Sequence, residues 1–117
     1  PHAVVFCGEV DALNLAELGP ALERHPAFPD RVNVEFAQLD GRGGLKVRVW
    51  ERGSGETLAC GTGACAAMTA AAQAGLVSHH TTVRLPGGEL EVRWAEENRH
   101  LYMTGPAVTV FEGEIFL

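Results

Sequence analysis

Apolar positions recur along this chain at two spacings, and they divide it into strands and helices. Residues 2–7 (HAVVFC) form a short β-branched apolar run, the mark of a buried strand. Residues 31–39 (RVNVEFAQL) alternate Val32, Val34 and Phe36 with Asn33 and Glu35, which predicts a half-buried strand with Asn33 and Glu35 on its polar surface. In residues 45–53 (LKVRVWERG), Leu45, Val47 and Val49 share one face, while Lys46, Arg48, Trp50 and Arg52 share the other. Turn residues 40–44 join these two strands. TTVRL (81–85), ELEVRW (89–94), HLYMT (100–104) and AVTVFEGEIFL (107–117) read as further strands, separated by Pro86-Gly87-Gly88, a turn around Glu97-Asn98, and Gly105-Pro106.

Two stretches have helical character. Asp11 is placed to cap a helix over 12–18, with Leu13, Leu15 and Leu18 suited to packing and Gly19-Pro20 interrupting it. Pro26 and Pro29 then make an irregular connection. ETLACGTGACAAMTAAAQAGL (56–76) is Ala-rich, opens with glycines and closes at Gly75, a natural C-cap. A helix so nearly free of charge is expected to be buried all round. The pattern predicts an α+β (mixed α/β) fold, a mixed sheet curled around that central apolar helix.

The chain has 117 residues, 46% hydrophobic and 21% charged, the composition of a single ordinary globular domain. At that length roughly two-thirds of the unfolded surface can be buried, so one core without a metal or disulfide staple is the expectation. The net charge of -6, with nine Lys+Arg and no basic cluster, argues against nucleic acid or an anionic membrane as partner and favours a small molecule. No apolar run is long enough for a membrane span and no signal peptide precedes the first strand, so a cytoplasmic setting is expected. Cys7, Cys60 and Cys65 are unevenly spaced and form no C-x-x-C pair, which predicts free thiols.

Chemistry concentrates in LACGTGACAA (58–67). Gly61, Thr62 and Gly63 open the apolar helix directly after Cys60, so free backbone N–H groups and the positive end of the helix dipole surround the thiol. Such a terminus accepts a carboxylate or phosphate, and its field favours the thiolate, making Cys60 a usable base or nucleophile. A small buried cysteine beside a tight turn accounts for the same spacing. Gly61, Gly63 and Ala66 also match G-x-G-x-x-A, but the next acid, Glu89, lies beyond a hairpin turn rather than at the end of a βαβ unit. A phosphate loop would need a lysine after the glycines, and Lys46, the only lysine, lies upstream. Glu51 is in phase with Leu45, Val47 and Val49, so it either points inward as a substrate-facing acid beside Arg52 or belongs to the surface after a bend at Gly53. Adjacent His79 and His80 cannot both face one metal, and Cys65, among alanines, reads as inert core.

PHAVVF (1–6), RVNVEF (31–36), VRVWERGSGETLACGTGACAA (47–67) and GPAVTVFEGE (105–114) together resemble diaminopimelate epimerase over nearly the whole chain. The resemblance implies a fold of two similar halves, each a mixed sheet curved around a helix, with the active site between them. This chain resembles the C-terminal half. Residues 1–117 would then be one domain of a two-domain epimerase, with about 106–117 packing on a missing N-terminal half that carries the first catalytic cysteine. Cys60 corresponds to the second catalytic thiol, and Asn33, Glu51, Arg52, Gly61 and Thr62 to substrate contacts. His2 and Glu51 correspond to groups that tune the thiols. The implied reaction converts LL-2,6-diaminopimelate to the meso form with two thiols as acid and base, without cofactor or metal, in a homodimeric cytoplasmic enzyme of lysine and peptidoglycan precursor synthesis. A stand-alone amino-acid-binding half-domain and another cofactor-independent racemase are the competing expectations.

Overall fold

Strand β2 (Asn33–Leu39) has the rest of the fold arranged around it. The computed structural model describes residues 1–117. β2 runs parallel to β1 (His2–Phe6), with His2 opposite Asn33, and antiparallel to β3 (Leu45–Glu51), with Glu35 opposite Val49. In the turn between β2 and β3 the Asp40 carboxylate accepts the N–H groups of Arg42 and Gly44, while Gly41 and Gly43 take the positive φ that an L side chain disfavours. β3 turns through residues 53–55 into the short β4 (Gly55–Thr57), and at its other end pairs in parallel with β5 (His80–Leu85). β6 (Gly88–Trp94) and β7 (Leu101–Thr104) extend the sheet antiparallel, giving the order β1-β2-β3-β5-β6-β7 with β4 on β3.

The Ala-rich segment forms α2 (Gly61–Gln73), which touches β1, β2, β3, β5, β6 and β7, so the sheet does curl around it. Ala64, Ala67, Met68 and Ala71 bury against Leu45, Val47, Val49, Val83 and Val92. The helix ends in a Schellman closure: Leu76 N–H donates to Ala71 O, Gly75 N–H to Ala72 O, and Gly75 adopts φ 74°. All-round burial does not occur. Thr62 and Gln73 are exposed, and Cys65, Ala66, Thr69 and Ala70 are only partly covered, because β1 and β7 end the sheet on either side of the helix without meeting.

A second helix covers the opposite face. α1 (Leu15–Glu23) follows a single 3-10 turn at Val10–Ala12 and seals a second core of Val10, Leu15, Val32, Val34 and Phe36. β2 is therefore buried on both faces, not one: Val34 and Phe36 lie under α1, Glu35 and Ala37 under α2. Two further expectations fail here. Asn14, not Asp11, occupies the N-cap, and Asp11 instead pairs with Lys46. The helix also runs through Gly19-Pro20, since packing of Leu15, Gly19 and Leu22 against the sheet outweighs the one hydrogen bond that Pro20 forgoes.

Gly19 gives the Trp50 indole room to lie on α1: a Cβ there would stand 2.2 Å from Trp50 Cδ2. Trp50 Nε1 donates to Glu23 Oε1 at 2.9 Å, and Glu23 Oε2 accepts from Arg31 Nη1 and Gly53 N–H. These donors, the Trp50 bond first, hold the Glu23 carboxyl below the usual carboxylate range and compensate its burial. Residues 105–117 have no regular structure, so the final strand expected over 107–117 is absent, and Val108, Val110, Phe111, Ile115 and Phe116 are 81–93% exposed. No helix is long and apolar enough to cross a membrane.

Gly19→Ala tests the Trp50 seat. Alanine gains up to about 1 kcal/mol of helix propensity, but the overlap with a ring held by Glu23 is the larger effect, and a net loss of about 1–3 kcal/mol in denaturant unfolding is expected.

Candidate active site

Cys60 is the N-cap of α2. Its backbone is extended (φ -145°, ψ 111°), its carbonyl accepts Ala64 N–H at 2.9 Å, and its Sγ accepts Gly63 N–H at 3.3 Å, the bond a serine or aspartate ordinarily makes at this position. Thr62 Oγ1 stands 3.6 Å from the same sulfur. Gly61 and Thr62 sit in the first turn, where N–H groups have no partner within the helix and are free for an external acceptor. Beside them lies an open depression of about 380 Å³ bordered by His2, Gly61, Thr62, Cys65, Ala66, Leu101 and Met103.

Strand register brings the remaining candidates to the same end of the sheet. His2 lies opposite Asn33, and Val34 opposite Trp50, which sets Asn33 beside the Glu51-Arg52 end of β3. Asn33 Oδ1 accepts the Arg52 backbone N–H at 2.7 Å, so its amide ties β2 to that end. Arg52 is exposed and donates Nη1 to Asp30 O at 3.0 Å. Glu51 keeps the phase of the buried valines, but at half-burial it accepts from Thr57 Oγ1 at 2.8 Å across the β3–β4 hairpin. The two alternatives for Glu51 thus resolve into an intermediate one, an acid fixed by β4 at the sheet end.

Glu35 overturns the surface assignment. It is 0% exposed, lying beneath the first turn of α2, with Oε1 2.7 Å from His2 Nδ1 and Oε2 without any partner. A Cβ on Gly63 would stand 2.9 Å from Glu35 Oε1 and 3.2 Å from Cys60 Sγ, so the glycine lets helix, thiol and carboxyl converge. Burial, the largest influence, pushes the Glu35 carboxyl up to about 8, with a lesser upward push from Glu51. His2 is lowered, by burial first and then by the Pro1 amine. His2 meets the thiol's surroundings through Glu35, not by touching sulfur. Alternation alone marked Glu35 as outward because it presumes one solvated face; the available signal was a second helix, whose packing surface had to come from the other face of the same strand.

The other candidates fall outside this cluster. His79 stacks on Trp94 at 5.1 Å and His80 lies 3.2 Å from Glu91, both exposed, and no group of three or more His, Cys, Asp or Glu side chains gathers with metal-binding geometry. All three cysteines are free, and burial raises the thiols of Cys7 and Cys65, the latter also through the neighbouring Cys60.

Cys60 is therefore expected to alkylate faster than Cys65 at neutral pH, since it sits at an N–H-rich helix end while burial resists ionisation of Cys65; peptide mapping after iodoacetamide treatment checks the order. A second expectation concerns Glu35. A carboxyl whose pKa rises on folding holds its proton more tightly in the native state, so its contribution is most favourable below the ordinary carboxylate range and declines as the pH climbs to about 8. Glu35→Gln should remove that decline, so that unfolding midpoints of variant and native chain diverge progressively from about pH 5 to about pH 8 in the variant's favour and run parallel above it.

The sequence model of the diaminopimelate epimerase family matches residues 1–110. Curated diaminopimelate epimerases of Acetivibrio thermocellus and Chromobacterium violaceum are 55% and 56% identical over 117 residues, and that of Methanococcus maripaludis is 54% identical over 115. These alignments cover 98–100% of this chain but 42% of each relative, so the chain spans less than half of their length. Among solved structures, phenazine biosynthesis proteins of the PhzF family from Bacillus anthracis and Enterococcus faecalis superpose with TM-scores of 0.59 and 0.65 at 18% identity, covering 86% and 83% of this chain and 33% and 35% of theirs. That likeness establishes the fold. With the Cys60–Gly61–Thr62 helix end and the match running through nearly every residue, the chain belongs to the diaminopimelate epimerase family.

Proposed function

We propose that this chain supplies one face of a cofactor-independent epimerase that converts LL-2,6-diaminopimelate to the meso isomer. The observation that carries the reading is Cys60 at the N-cap of α2, next to the unpaired N–H groups of Gly61 and Thr62. Inverting an α-carbon requires one group to remove its proton and another, on the opposite face, to deliver one. Cys60 is that group on one face. As thiolate it takes the α-proton onto Sγ; as thiol, in the reverse direction, it returns a proton to the same carbon. The electron pair left by the proton spreads into the substrate's α-carboxylate, which the Gly61 and Thr62 N–H groups and the helix dipole stabilise. Asn33, Glu51 and Arg52, gathered at the adjoining sheet end, take the role of substrate contacts, and His2 and Glu51 that of groups that adjust the thiol's ionisation.

The second thiol belongs to the part of the protein outside this chain, consistent with the 42% coverage of the relatives. Residues 1–117 act as the C-terminal domain in this reading. The uncovered side of α2, the exposed Leu101 and Met103, and the apolar tail after residue 105 are the surfaces that the other half would cover. A homodimeric enzyme of the cytoplasm, serving lysine and peptidoglycan precursor synthesis, is the setting we assign.

In the full-length protein, Cys60→Ser should abolish epimerisation while leaving solvent-deuterium incorporation from one isomer, since the opposite thiol still removes its own proton. Exchange measured separately from the LL and meso isomers checks this, and full epimerisation by the variant would remove Cys60 from the mechanism. Residues 1–117 alone should turn over diaminopimelate slower by several powers of ten, having one of two proton-transfer groups and no closed site. Turnover by the isolated chain comparable with that of the full-length protein would show that a second copy completes the site.

A further inference from the structure

The buried carboxyl under the helix takes no part in the proton transfer at Cys60, yet the fold keeps it there with a glycine above it and one oxygen unpaired. Glu35 Oε2 has no hydrogen-bond partner, and Oε1 has His2 Nδ1 alone. As a carboxylate, Oε2 would be an anionic oxygen buried without a donor; as a carboxylic acid it is a neutral acceptor, at much lower cost. The short contact with His2 is then an O–H donating to Nδ1, which fixes the imidazole proton on Nε2. His2 borders the depression beside Gly61 and Thr62, and its side chain is 25% exposed.

The groups facing the Glu35 carboxyl are few. His2 comes from β1, Cys60 from the N-cap of α2 across Gly63, Glu51 from β3, and the Pro1 amine from the chain start. A negative charge on Glu35 would oppose a thiolate at Cys60, because both groups pack against the same glycine.

We propose that Glu35 is a positioning residue for the Cys60 thiol: held protonated by its buried seat and its bond to His2, it keeps the ground beneath the thiol uncharged and aims the His2 Nε2–H into the depression. The proposal rests on the reading of Cys60 as the proton-transfer group, and it adds an alkaline limit. Once Glu35 loses its proton, the two anions compete and the thiolate form of Cys60 is suppressed.

The test follows Cys60 alkylation by iodoacetamide from pH 6 to pH 10, with peptide mapping, in the native protein and in Glu35→Gln. Glutamine keeps a donor for His2 Nδ1 but cannot ionise. Below pH 7 the two proteins should label Cys60 at similar rates; at pH 9 the variant should be faster by about threefold, its curve following a single ionisation while the native curve is broadened. Coincident curves over the whole range would overturn the proposal. Should the variant fail to fold by circular dichroism, infrared titration of the native protein decides: a protonated carboxyl band that persists above about pH 6 and disappears near pH 8 supports it, and a fully ionised set of carboxyls at pH 6 overturns it. Deuterium exchange by Cys60→Ser judges the thiol's role separately, so failure of the coupling and failure of the mechanism give different results.

Discussion

The contact between the first turn of α2 and the middle of β2 is the constraint on which the site depends. Gly63 is the point of closest approach, and a side chain there would meet Glu35 Oε1 at 2.9 Å and Cys60 Sγ at 3.2 Å. Because the residue has no Cβ, the helix end can settle onto the strand, which fixes the direction of the unpaired N–H groups and the height of the thiol above the sheet. The long apolar contact of Ala64, Ala67, Met68 and Ala71 with the sheet supplies the driving force. The polar groups at the helix end add little net stability; they decide what the seated end can do.

The opposite layer contributes by holding the sheet end rigid. Trp50 lies on Gly19 and hydrogen-bonds to Glu23, and Glu23 in turn receives the Gly53 N–H from the β3–β4 turn. Asn33 holds the Arg52 backbone from β2, while Thr57 holds Glu51 from β4. The segment carrying Glu51 and Arg52 is thus tied to α1, β2 and β4 at once. Loops without such ties sample many geometries, and a group required to meet a substrate within fractions of an ångström is better placed on a segment so restrained.

What could be read in the sequence follows from which forces are local. A β-branched apolar run marks β1, alternation marks β2 and β3, and runs between turn residues mark β5, β6 and β7, while the Cys60–Gly–Thr–Gly opening places the helix end at the right residue, since capping and periodicity act over a few neighbouring positions. Alternation puts Glu35 on the wrong side because its burial comes from α2, whose first residue is 26 positions further along the chain. Gly19-Pro20 reads as an interruption because the local cost of Pro20 is real, and only the contact with Trp50 and the sheet shows why the helix continues. His2 carries no local signal at all: it acquires meaning through a bond to a residue 33 positions away.

Burial on one side and exposure on the other give α2 its distinctive electrostatics. A helix terminus fully closed by protein would direct its N–H groups at fixed acceptors, and one fully in water would have its dipole screened within the first turn. Here the sheet and the hydrogen-bonded Glu35–His2 pair lie beneath the terminus, while Thr62, Cys65 and Ala66 face an open depression. An anion arriving from that side would meet two unpaired N–H groups over a largely apolar floor that, with Glu35 protonated as proposed, carries no opposing charge. Covering the depression would strengthen the attraction of this terminus for an anion by removing water, and in the proposed reading closure by a second protein surface is the step that does so.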